Sequence, residues 1–231
     1  MPDIFREHRG GFWTAARKRS LYLGLFLVAI AIFVQVSAGH YSANHVLLAP
    51  PESDLFLDNL PVVNLGFLIV GVTILFWICS CFFLITRPHY LLFGIKAIAL
   101  FVIFRAFFMN LTREGIYPGG VVPSAANTGF GFYHLLTFQG NLFFSGHTAF
   151  PYLLALIFWD EKFWRRFFIV ATIVFGAAVL LAHVHYSIDV FAAPFIMYGV
   201  FAITAKLFPN DYALLAHRAR GHSLLTQRDG G

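Results

Sequence analysis

The chain has 231 residues, of which 59% are hydrophobic and 12% charged, and its mean hydropathy is +0.74. Soluble domains carry roughly 25% charged residues, so this composition excludes a water-soluble globule and places the chain in a bilayer. The formal charge of +5 does not point to a nucleic-acid partner, because the basic residues stand in short clusters beside apolar runs and not along one polar face.

A tail of residues 1–20 carries the basic cluster Arg17-Lys18-Arg19 and precedes the first of six apolar segments. A transmembrane helix needs about 20 apolar residues to cross roughly 30 Å of hydrocarbon. Segments of about that length run from Leu21 to Ala38, Val62 to Ile85, Tyr90 to Leu111, Asn141 to Trp159, Phe167 to Ala182 and Tyr186 to Phe208. The pair Ser37-Ala38 resembles a signal-peptide exit, but the apolar core before it is too long for a typical signal sequence, so the segment reads as a retained span. Cys79 and Cys81 are two residues apart on a predicted helix, point in nearly opposite directions and are not placed to bridge. The expected fold is therefore all-α, a six-helix transmembrane bundle over residues 21–208 with a second tail at 209–231.

Orientation follows from the basic residues, which resist translocation when they lie near span ends. With the N-terminus cytoplasmic, 13 of the 16 Lys and Arg residues fall in inner segments, Arg113 falls outside, and Lys96 and Arg105 lie inside the third span. Both termini are thus expected in the cytoplasm. Two long loops then face outward: about 39–61, with Glu52, Asp54 and Asp58, and about 112–140, rich in Gly, Pro, Ser and Asn. The second loop reads as an irregular cap over or beside a site. Of a bacterial inner membrane and a eukaryotic secretory membrane, both left open by the sequence, the short tails favour the first.

An ionisable residue inside a membrane costs about 2.5–3.5 kcal/mol on insertion scales, so each one is a functional candidate. Asp189 is the only carboxylate within the six spans, and it follows His185 by four residues, which puts both on one helix face. Alone, that pair could equally be polar glue between helices. His147 changes the balance, because it begins the fourth span at the outer level where His185 and Asp189 begin the sixth. Two histidines and one acid at a single depth suit phosphoryl chemistry: one His attacks phosphorus or activates a nucleophile, the other protonates the leaving oxygen, and the acid orients the first.

Phe144-Ser145-Gly146-His147-Thr148, followed by His185-Tyr186-Ser187-Ile188-Asp189-Val190, resembles the sphingomyelin synthase family, a branch of the type 2 phosphatidic acid phosphatase superfamily. The resemblance extends to the six spans, to the proline and acid stretch from Pro50 to Asp58, and to Arg105 with Thr112. It covers residues from about 20 to 208. It implies transfer of a phosphocholine-type headgroup from a glycerophospholipid to the primary hydroxyl of ceramide, with release of diacylglycerol, and the family's catalytic His, His and Asp fall on His147, His185 and Asp189. Where the family has Cys-Gly-Asp before the Ser-Gly-His-Thr element, this chain has Gln139-Gly140-Asn141, so headgroup identity stays open between phosphocholine and phosphoethanolamine types. The Lys and Arg-Pro cations of phosphatidate phosphatases are absent, as is the Ser-Arg pair before their second His, where Leu181-Ala182 stands. That favours diester substrates.

Around this set, Arg105, about 10 Å below the outer end of the third span, is a candidate for contacting lipid phosphate. Ser145, Asn141, Tyr186 and Glu114 are further candidate substrate-binding residues, Ser145 also as the cap of span four and Glu114 as a contact for a cationic headgroup. Lys96, near the inner end, is expected to snorkel to the interface. His183 makes His-x-His-x3-Asp with His185 and Asp189, but a single helix places those groups poorly for a metal. No cofactor or metal is expected. The expected partners are membrane lipids, a glycerophospholipid donor and a ceramide-like acceptor, with no nucleic acid; homo-oligomerisation stays open. A lipid phosphatase or phospholipase C-type hydrolase is the alternative. Transport along Lys96, Arg105 and Asp189 fits less well, because pathway charges spread through the midplane.

Overall fold

The computed structural model of the chain describes residues 11–46, 50–112, 115, 117–120 and 143–215, and for 42–46 the backbone alone. Among the described residues the regular structure is helical: α1 (Ala15–Val46), α2 (Phe67–Ile85), α3 (Pro88–Leu111), α4 (Gly146–Ile157), α5 (Lys162–Leu181) and α6 (Ser187–Leu207). A short helical turn at 209–215 follows. Asn141 and Glu114 lie outside the described residues, as does most of the expected 112–140 cap.

Five of the six helices are long and apolar enough to cross a membrane. The sixth, α4, is not. Its 12 residues span about 18 Å at 1.5 Å per residue, against roughly 30 Å of hydrocarbon. The apolar run from Asn141 to Trp159 suggests a full span, but the helix starts only after Phe144, which takes φ 20°, and ends before Phe158. A short helix is tolerable there because α4 does not meet lipid: ten of its 12 residues are buried, between α3, α5 and α6. Backbone groups at membrane depth need partners, and a helix enclosed by protein can find them.

Phenylalanine supplies much of the packing around α4. Phe76 of α2 makes edge-to-face contacts with Phe150 of α4 and with Phe168 and Phe175 of α5, at ring separations of 6.2, 6.1 and 5.3 Å. Such pairs add about 0.5–1.5 kcal/mol each beyond area burial. By contrast, Tyr22, Phe26 and Phe33 of α1 are exposed, as a helix lying against one neighbour, α3, requires. Pro88 opens α3 at its first turn, where its missing N–H costs nothing.

The helix ends sort into two groups. One end of the bundle gathers the starts of α1, α3 and α5 with the close of α4, tied by Arg87 Nη1 to Glu161 Oε1 at 2.6 Å. It also holds Lys96, and here the expectation of snorkelling fails. Lys96 is 0% exposed; its Nζ donates to Asp211 Oδ2 and to Ser20 Oγ, both at 2.5 Å, and to Leu92 O at 3.3 Å. An ammonium with a carboxylate in reach is better served by the buried pair than by stretching to the interface. A cavity of about 560 Å³ lined by Arg17, Arg19, Ser20 and Asp211 lies beside this pair, remote from the histidines.

Candidate active site

The opposite end of the bundle brings together α4 and α6 at their N-termini, Arg105 of α3 and the first turn of α2. His147 stands on the first turn of α4 and His185 immediately before α6, with ring centroids 5.9 Å apart and planes at 67°. His185 Nδ1 faces Asp189 Oδ2 at 3.4 Å, the i, i+4 pair expected from the spacing. Asp189 is fully buried, and the same Oδ2 accepts from Tyr186 N at 3.1 Å. One carboxylate thus closes the first turn of α6 and fixes the imidazole before it.

These contacts define the tautomers. A carboxylate accepts, so His185 carries its hydrogen on Nδ1 and presents the Nε2 lone pair. His147 Nε2 lies 3.1 Å from Ile69 O; a carbonyl also only accepts, so His147 is protonated at Nε2 and leaves Nδ1 for proton transfer. Ile69 belongs to the π-helical opening of α2, Phe67–Val72. A π turn departs from the α-helical i→i−4 ladder, and such turns recur at functional sites for that reason.

Arg105 lies six residues, about 9 Å, before the end of α3. Its Nε donates to Phe144 O at 3.4 Å, and its guanidinium rests on the start of α4, where a Cβ at Gly146 would come within 3.3 Å of Nε. The cation therefore sits beside a helix N-terminus, two positive sources at one place. Ser145 occupies the N-cap position of α4, but no capping bond forms, and its fully buried Oγ has no hydrogen-bond partner among the described residues. Tyr186 Oη accepts from Glu52 N at 3.1 Å and donates to Gly115 O at 2.9 Å, so this hydroxyl ties two loops over the site.

Sequence reasoning left Asp54 without a role. Its Oδ1 accepts from Phe56 N and Leu57 N at 2.9 and 3.1 Å, and its Oδ2 accepts from Ser187 N at 2.6 Å. Asp54 thereby pins the first loop to the start of α6, next to the His185–Asp189 pair. Burial alone raises its carboxyl, but the hydrogen bonds from Ser187, Leu57 and Phe56 outweigh burial and hold it below the ordinary aspartate value. Nearby, Tyr117 donates to Asp58 Oδ1 at 2.5 Å, and this bond pushes the phenol up to about 12. Among the described residues no cluster of three or more His, Cys, Asp or Glu is placed to hold a metal ion.

Fold and site together define a multi-pass membrane protein with paired histidines, one anchored by an acid, beside an arginine and a helix N-terminus. Residues 140–206 match the family model for the PAP2 superfamily C-terminal region, the stretch that contains α4, α5 and α6 with His147, His185 and Asp189. The match supports the type 2 phosphatidic acid phosphatase superfamily and, with it, an enzyme of lipid phosphate chemistry; it does not single out the sphingomyelin synthase branch. No curated protein and no solved structure matches the chain.

Proposed function

We propose that the chain is a lipid phosphotransferase that moves a phosphocholine- or phosphoethanolamine-type headgroup from a glycerophospholipid to the hydroxyl of a ceramide-like lipid and releases diacylglycerol. The observation that carries this reading is the His147–His185 pair at 5.9 Å, with His185 Nδ1 held by Asp189. His185 Nε2 attacks the donor phosphorus, the bond to the diacylglycerol oxygen breaks, and that oxygen takes the Nδ1 proton of a His147 imidazolium, which is left as the neutral Nε2–H ring. The phosphohistidine then meets the acceptor. Its hydroxyl gives a proton to His147 Nδ1, its oxygen bonds phosphorus, and His185 Nε2 recovers its electron pair. Arg105 and the start of α4 face the phosphoryl oxygens as negative charge builds. The bias of basic residues favours a site at the non-cytoplasmic face, with both termini inside.

The superfamily match is equally compatible with hydrolysis as a second reading: water replaces the lipid acceptor, and the protein is a lipid phosphatase or a phospholipase C-type enzyme. Purified protein in lipid nanodiscs with headgroup-labelled phosphatidylcholine, phosphatidylethanolamine or phosphatidate, each with and without ceramide, separates the two. Transfer yields labelled ceramide product and diacylglycerol in step. Inorganic phosphate from phosphatidate, with no acceptor-dependent product from either diester, overturns the transferase reading.

A further inference from the structure

His183 ends α5 through two reverse hydrogen bonds, His183 N to Leu180 O and Val184 N to Val179 O, each 3.0 Å. This is the Schellman arrangement, whose left-handed position is normally filled by glycine because a side chain is strained there. Here His183 holds it, at φ 52°, a conformation that costs roughly 1 kcal/mol or more for a residue with a Cβ.

Among the described residues, no hydrogen bond of its ring offsets that cost. His183 is 4% exposed, and neither Nδ1 nor Nε2 has a hydrogen-bond partner among the described residues. The ring packs edge-on against Tyr117 at 5.2 Å, and Tyr117 packs against Tyr186, the neighbour of His185, at 5.9 Å. Gly120 is laid against the His183 carbonyl so closely that a Cβ there would collide with it. The turn between α5 and α6 is therefore covered, and two polar atoms are buried beneath the cover. Leucine would fill the space without stranding polar atoms, and glycine would relax the backbone. Strain in one residue, two positions before His185, together with ring nitrogens that find no partner among the described residues, points to a ligand.

We propose that His183 is a specificity-determining residue that hydrogen-bonds the hydroxyl and amide region of the acceptor lipid; this rests on the transferase reading above. A neutral imidazole carries one donor and one acceptor nitrogen. Below its headgroup a diacyl glycerophospholipid offers ester carbonyls alone, which only accept, so at that level it leaves the bare ring nitrogen unmatched. A ceramide-class lipid brings O–H and amide N–H donors beside its acceptors and satisfies both nitrogens. His183 thus separates the acceptor lipid from the donor lipid.

The test uses the full chain in nanodiscs, with His183→Gly and His183→Asn, both of which fit a left-handed position. Ceramide is titrated at saturating donor and the donor at fixed ceramide, and thermal unfolding is followed with and without ceramide in the absence of donor. His183→Gly should unfold at or above the wild-type temperature, raise the KM for ceramide roughly tenfold, and leave the donor KM within twofold. His183→Asn should recover part of the ceramide KM, since an amide also donates and accepts. A ceramide KM within twofold of wild type in His183→Gly, or a parallel rise in donor KM, overturns the proposal. Should the wild type transfer no headgroup, the transferase reading fails, and the unfolding data decide on His183: a ceramide-induced rise present in wild type and lost in His183→Gly upholds the contact, and equal or absent shifts in both overturn it.

Discussion

Replacing Asp189 by asparagine removes a charge from the site with almost no change in shape. Oδ2 accepts from Tyr186 N at 3.1 Å and faces His185 Nδ1 at 3.4 Å, and an amide oxygen in that place still accepts. Exchanging charge-assisted bonds for neutral ones costs about 1–2 kcal/mol of stability, so Asp189→Asn should fold. Turnover should suffer far more. When His185 attacks phosphorus its ring becomes cationic, and a full charge 3.4 Å from a carboxylate gains about 5 kcal/mol at an effective dielectric of 20. At 1.36 kcal/mol per decade that is about three to four decades in rate. Headgroup transfer, measured in nanodiscs beside thermal unfolding, checks both halves. Turnover of folded Asp189→Asn within tenfold of wild type would refute the claim that the carboxylate steadies a developing imidazolium.

Other perturbations probe the rest of the arrangement. Arg105→Ala should lose about 2–4 kcal/mol of transition-state stabilisation, by analogy with removal of one preorganised donor, and Arg105→Lys should recover part in the same transfer assay. The Asp54 carboxyl lies below its ordinary value in the folded state, so its contribution is complete above about pH 3.9 and is lost as pH falls through the folded value. Asp54→Asn should accordingly unfold more easily at neutral pH, with the difference from wild type shrinking below about pH 4 in a thermal-melt pH series. Lys96→Met, which strands Asp211, should cost about 3–5 kcal/mol, whereas Lys96→Met with Asp211→Leu should regain most of it in denaturant titrations. In a background with Cys79 and Cys81 replaced, a cysteine at Leu55, which is 78% exposed, should react with an impermeant thiol reagent from outside intact cells. Labelling only after lysis would reverse the orientation.

Residue counting found the positions of α1, α2, α3, α5 and α6, because burial in lipid demands long apolar runs and the sequence must display them. It missed the length of α4. Hydropathy reports whether a segment can leave water, not whether it is helical from end to end, and Phe144 and Ser145 are as compatible with a helix as with the break they form. The convergence of His147 with His185 and Asp189 was legible from helix spacing and alternating span direction. The Ile69 carbonyl was not, since backbone groups carry no sequence signal. Nor was the partner of Lys96: Asp211 lies 115 residues away, past the last apolar run, where it reads as a solvated tail residue.

The shortness of α4 links the fold to the proposed chemistry. A full-length span would carry its first turn up to the headgroup layer, where water screens both the N–H groups and any neighbouring cation. Enclosed by α3, α5 and α6, the 12-residue helix instead opens about 9 Å below the end of α3, at the level of Arg105. There the helix N-terminus and the guanidinium act in a poorly screened setting, where fixed dipoles are worth more than in water. Asp189 supplies the counter-charge, turned toward His185 and the Tyr186 amide. The phosphoryl group thus meets positive potential on one side and an acid-anchored imidazole on the other, at a depth that a lipid hydroxyl reaches more readily than bulk water. In the proposed reaction, the same enclosure that lets a short helix survive in a membrane would favour transfer over hydrolysis.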